Sequence, residues 1–278
     1  MTLTSETAGI DTDPAREENI MSAPSLPQPV RHLVGQPPSV TTASIRDAGG
    51  YALYAEGDLG AIHVFAHRML DEGRIRLGHR VLGRWLAHRS GRGHHWVHVQ
   101  WHMAIFDLEL NRWQEALARF QRHVQPYAFA TDDALPDAPS LLWRLRLAAP
   151  SWIDLPWHEA YETARRCMRR TRDPYVQLHN LLALAGVGDL ASLDRWLVDA
   201  PSLDGNHAGS LLWSMAQGLR AYAAGAYAQA ALHFGEAVPR IALIGGSRAQ
   251  NSLFERLHES AIEHAEATLQ FHNDRLAA

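Results

Sequence analysis

Two short stretches, "HVFAH" (63–67) and "HVQWH" (98–102), each place a pair of histidines four residues apart. On a helix, positions i and i+4 lie one turn apart on the same face, so both imidazoles of a pair reach one divalent ion. The second stretch belongs to "GRGHHWVHVQWHMAIFDLEL" (91–110), which also carries His94 and His95. With 17 histidines in 278 residues, composition predicts about one such spacing, and the chain has three: 63/67, 94/98 and 98/102. Metal ligation is the chemistry this suggests; solvated or core-satisfied histidine is the plainer alternative. His94 and His95 fall at a helix start and read as exposed, and His79, His123 and His264 read as surface residues.

Two further stretches carry polar groups that chemistry can use. In "DAPSLLWRL" (137–145), Asp137 precedes a helix beginning near Ser140, where it caps backbone amides, ligates a metal or acts as a general base. Arg144 is either an anion clamp or the outer partner of a surface acid. In "LIGGSRAQNSLF" (243–254), a Gly-Gly turn leads into a helix with Ser247 near its cap and Gln250 just inside. Such a helix start receives an anion, or it is an ordinary connection between repeats. No GxSxG elbow, P-loop, dinucleotide GxGxxG or HExxH is present, and the single Cys167 excludes an intramolecular disulfide.

The elements that position these residues read as helices. Apolar residues recur at three- and four-residue spacing from Ser44 onward, without a run of strict alternation. Turn residues fall at Gly73, Asn111, Ala149, Gly188 and Gly225, separated by 38, 38, 39 and 37 residues. A further step of 38 lands near Glu263, where a last pair is expected to turn. That period predicts stacked helical hairpins, about six of them, because one hairpin cannot bury its own apolar face. "MAIFDLELNRWQEALARFQRHV" and "LRAYAAGAYAQAALHFGEAV" share the tetratricopeptide order of helix, tight turn, aromatic, small residues and aromatic. The expected fold is therefore an all-α, tetratricopeptide-like solenoid over 44–278.

Residues 1–43 are rich in Pro, Ser, Thr and acids and predict a largely disordered leader, with Met21 as an alternative start. The chain is 46% hydrophobic with a net charge of −4 and has no Lys/Arg stripe, which argues against a nucleic-acid partner. No apolar run reaches membrane-spanning length, so the expectation is a cytoplasmic protein of bacterial type.

In such stacks the first helix of each pair lines the inner face. His63 and His67, His98, Trp101 and His102, Trp143 and Arg144, His179 and Asn180, and Trp213 and Gln217 all fall on first helices. Gln250 opens the sixth. One shared pocket is the expectation.

The segments "HVFAHRMLDEGR", "HVQWHMAIFDLELNRWQEAL", "DAPSLLWRLRL", "LHNLLALAGVGD" and "IGGSRAQNSLF" occur in that order and together resemble the tetratricopeptide repeat protein 38 family, over roughly Asp58 to the C-terminus. The resemblance implies an all-helical repeat fold without a general activity. Its polar signature falls on His63, His67, His98, Trp101, His102, Asp137, Arg144, His179, Gly245, Gly246, Ser247 and Gln250. The chain departs from the pattern at Leu70, Val99 and Gln177, and at Arg248, Asn251 and Ser252 of "GGSRAQNS". Short relatives of this kind are similar to helical-repeat proteins of bacterial secondary metabolism, azapteridine-toxin pathways included.

The expected function is a small-molecule tailoring enzyme, a metal-dependent oxidase. Its ligands are His63, His67, His102 and His179, with His98 or Asp137 as alternates, around Fe, Mn, Co or Zn. Trp101 and Trp143 would stack a planar heterocyclic substrate, Arg144, Gln250 and Ser247 would hold its polar edge, and Asp137 and Arg144 would assist the reaction. The alternatives are a protein-binding scaffold and an accessory subunit of a catalytic partner.

Overall fold

The computed structural model describes residues 58–130, 136–199 and 207–277, and every element among them is helical. The expected leader and the first residues of the expected repeat region lie outside the described residues. In chain order the helices are α1 (Leu59–Asp71), α2 (Ile75–Ala87), α3 (His94–Glu109), α4 (Trp113–Arg119), α5 (Gln125–Ala130) and α6 (Asp137–Ala148). They continue with α7 (Trp157–Cys167), α8 (Pro174–Val187), α9 (Leu190–Asp199), α10 (His207–Ala223), α11 (Tyr227–Ala237) and α12 (Arg248–Ala277). A π-helical turn, Phe120–Val124, joins α4 to α5, and a 3-10 segment, Val238–Leu243, follows α11.

Four of the expected turns are tight. Gly73, Asn111, Gly188 and Gly225 have φ of 65°, 59°, 75° and 75°, left-handed values open to Gly and Asn at low steric cost. The third connection differs: Ala149 is extended and leads into a longer stretch, 149–156, that carries Pro150 and Pro156. The last expected turn is absent, because α12 runs unbroken through Glu263. Nothing from 252 to 272 is Gly or Pro, so no residue there ends a helix.

The first helices of the pairs, α1, α3, α6, α8 and α10, pack each on the next, and the start of α12 reaches back onto α6 and α1. Three of these helices are interior on all sides. α3 is buried from Val97 to Leu108, α6 from Asp137 to Leu145, and α8 almost throughout. The second helices α2, α7 and α9 are amphipathic and cover the outside. Val99, Met103 and Phe106 of α3 pack into a core with α1 and α2, while Val97, Trp101, Ala104, Ile105 and Leu108 join the larger core beyond. His98 and His102 lie on the seam between those two faces, since their positions on the helix fall between them. A polar side chain on such a helix must find partners inside the protein.

Candidate metal centre

Neighbouring α1 and α3 bring their i, i+4 histidine pairs face to face. One ligand atom each from His63, His67, His98 and His102 fall within 4.8 Å of one another. The Nε2 atoms of His63 and His67 are 2.9 Å apart, and those of His67 and His102 are 3.2 Å apart. Four nitrogens placed tetrahedrally around one ion at about 2.0–2.1 Å stand about 3.3 Å from each other, so the cluster is near the size of a coordination sphere. Ring centroids lie 4.3 Å apart for His67–His102, 4.6 Å for His98–His102 and 5.0 Å for His63–His98.

The protons support the same reading. A neutral imidazole nitrogen carries either one proton or one lone pair, so His67 Nε2 cannot make two good hydrogen bonds to two other Nε2 atoms at once. A cation at the centre would take all of the lone pairs together. Asp137 lies within 2.9 Å of His98 Nδ1 through both carboxylate oxygens. A carboxylate only accepts, so Nδ1 bears the proton, and the neutral ring then presents the Nε2 lone pair to the cluster. Burial raises the Asp137 carboxyl, but the charge and hydrogen bond of His98 outweigh it and the net shift is downward. Burial, then the neighbouring histidines, pushes His63 down to about 3 and His67 to about 4, and His102 is lowered well below its ordinary value. These three imidazoles are therefore neutral, the form that ligates metal, at neutral pH.

Asp137 corrects one expectation. It sits at the first position of α6 and makes no side-chain cap bond, because its carboxylate is committed to His98. His179 stands outside the cluster: its Nδ1 donates to Tyr175 O at 2.8 Å and its ring lies 4.4 Å from Tyr175. Helix α8 thus holds it on its own backbone.

The expected substrate residues divide between several places. Trp101 stacks on His98 with centroids 5.3 Å apart and planes 8° apart, fully buried, with Nε1 lacking a hydrogen-bond partner among the described residues. The Arg144 guanidinium lies 5.7 Å above the Trp101 ring and donates to Ala249 O, Gln250 O and Ser252 Oγ of α12. Burial lowers its pKa to about 9, so it stays cationic while tying α6 to α12. Ser247 and Gln250 are engaged with each other. The Ser247 amide donates to Gln250 Oε1, and the Gln250 amide to Ser247 Oγ, a reciprocal cap on α12. Trp143 belongs elsewhere: its Nε1 donates to Leu182 O, and its ring lines a cavity of about 800 Å³ with Tyr222, Tyr227 and His264. It cannot sandwich a ring with Trp101 from there. Trp213 is exposed.

One buried network escaped the sequence reading. Asp107, 2% exposed, accepts from His79 at 2.9 Å and Arg119 at 3.1 Å, and Arg119 also reaches Gln100. His79 is thus a partner of a buried acid rather than a plain surface residue. An aspartate inside the apolar run "AIFDLEL" was the signal.

Among the described residues no helix is long and apolar enough to cross a membrane. Compared with known proteins, the chain matches no family model and no solved structure.

Proposed function

We propose that the protein is a metal-dependent enzyme, an oxidase acting on a small molecule, built on a tetratricopeptide-like stack of helical hairpins akin to the tetratricopeptide repeat protein 38 family. The observation that carries the reading is the convergence of His63, His67, His98 and His102, with Asp137 orienting His98. Neutral imidazoles suit Zn, Co, Fe or Mn, and a redox-active ion would supply electron transfer between a chelated substrate and dioxygen. Oxidation is favoured over hydrolysis because Asp137, the acid acting on His63 and His67, already accepts from His98 and is not placed as a general base. His63 and His67 are part-exposed, which leaves a side for a substrate to approach. Trp101 and Arg144 stiffen the wall behind His98. A planar heterocycle from bacterial secondary metabolism fits this reading as substrate, and a cytoplasmic location goes with it.

The test is elemental analysis of untagged protein, wild type beside His63→Ala and His102→Ala. One ion per chain, lost in both variants at unchanged helicity, is the expected result. Wild-type protein that takes up no Fe, Mn, Co or Zn on reconstitution would end the proposal.

A second reading, a scaffold or accessory subunit, is favoured by one observation. The outer half of α12 exposes Leu269, Phe271 and Leu276 at 63%, 60% and 88%. Leu269 and Leu276, seven residues apart, share one face of the helix, and exposed apolar residues on one face suit a protein partner. Co-purification of a single partner with the wild type, lost on Leu269→Glu, would support it.

A further inference from the structure

We propose that His94 and His95 form a surface port that captures a hydrated divalent transition ion and passes it to the part-buried four-histidine centre. The inference rests on the reading of that cluster as a metal centre. At 100° per residue, His94, His95, His98 and His102 fall within an arc of about 100° on α3, a row down one edge of the helix. Exposure drops along the row. His94 and His95 are exposed, His98 is 9% exposed and His102 is fully buried.

The spacing is that of a stepwise path. Ring centroids lie 5.9 Å apart for His94–His95, 6.3 Å for His94–His98 with planes 3° apart, and 4.6 Å for His98–His102. His94 stacks parallel to His98, itself one of the four histidines of the centre, and His95 stands beside His94. A hydrated ion sheds water at great cost if it must do so in one step inside a protein. Imidazoles at the surface replace waters one at a time, and the same first-row ions that the centre would hold bind imidazole readily. Asp137 places a negative charge at the inner end of the path.

The N-cap of α3 is Gly93, with φ of 86° and no side-chain cap bond, and neither histidine is a favoured helix-start residue. His94 and His95 also fall outside the set whose ligand atoms converge. A port needs this arrangement: close to the centre, exposed, and not among its ligands.

The experiment is rapid mixing of metal-free protein with Co²⁺, following the visible absorbance of the bound ion, in wild type, His94→Gln/His95→Gln and the exposed control His272→Gln. The expected result is loading slowed at least about tenfold in the double variant, with final absorbance and chelator-competition affinity unchanged, since a port alters rate and not equilibrium. The control should load as wild type does. Equal loading rates in all three proteins would overturn the port. So would a double variant that retains its helicity but loses final occupancy, because His94 or His95 would then be a ligand of the centre. Wild type that binds no Co²⁺ at all would remove the centre itself, an outcome distinct from the other two.

Discussion

At the scale of residues, the centre depends on protons as much as on positions. Asp137 holds His98 in the tautomer that leaves Nε2 free, so removing its charge should loosen the ion without unfolding α6. Asp137→Asn is expected to weaken metal affinity about 10- to 100-fold by chelator competition, the usual range for a group that orients a ligand. The buried histidines also make a prediction about pH. His63 and His67 ordinarily titrate near 6.5 and are held at about 3 and about 4 by burial. Between those values the unfolded chain binds more protons than the folded one, so stability falls as pH falls, and it is fully present above 6.5. Thermal melts of the metal-free protein should show the midpoint dropping from pH 7 to 4, with a shallower slope in His63→Gln/His67→Gln. A midpoint flat across that range would contradict the burial of these imidazoles.

At the scale of elements, the start of α12 decides how the interior closes. Gly246 has φ of 82°, and a Cβ there would stand 2.7 Å from Tyr175 Cε2 and 3.0 Å from Asn251 Oδ1. Gly246→Ala should therefore cost about 1–3 kcal/mol, read as a lower urea midpoint, from strain at both the backbone and Tyr175. Ser247→Ala removes one arm of the reciprocal cap and should cost about 1 kcal/mol. Legibility differed sharply among the elements. Gly73, Asn111, Gly188 and Gly225 were readable because a left-handed turn selects Gly or Asn, and those residues stand out in any sequence. The end of the period was misread, because spacing extrapolates past the point where a breaking residue is needed. Leu253, Phe254, Leu257 and Ala261 continue a helical stripe, and α12 simply goes on.

At the scale of the molecule, the four histidines join the first hairpin to α3, whose other face belongs to the larger core. An ion bound to them would cross-link α1 to the rest of the helices. Metal at about 1,000 times its dissociation constant should stabilise the protein by roughly 4 kcal/mol, and excess chelator should reverse the gain. Hydrogen exchange should show the added protection concentrated in α1 and α3.

Helical character, four of the turns and the two histidine pairs were present in the linear order of residues, since each is a matter of spacing within one or two turns of a helix. Trp101, His102 and Asp137 could be singled out there as well, as polar or bulky residues in apolar runs. Their partners could not. Whether Asp137 caps its helix or holds His98, whether Arg144 awaits an anion or ties down α12, and whether His179 and Trp143 reach the centre depend on how α3, α6, α8 and α12 rotate against one another. That rotation is set by the packing of many buried side chains at once. A difference of one position along an all-buried helix turns a side chain by 100°, from one neighbour to another.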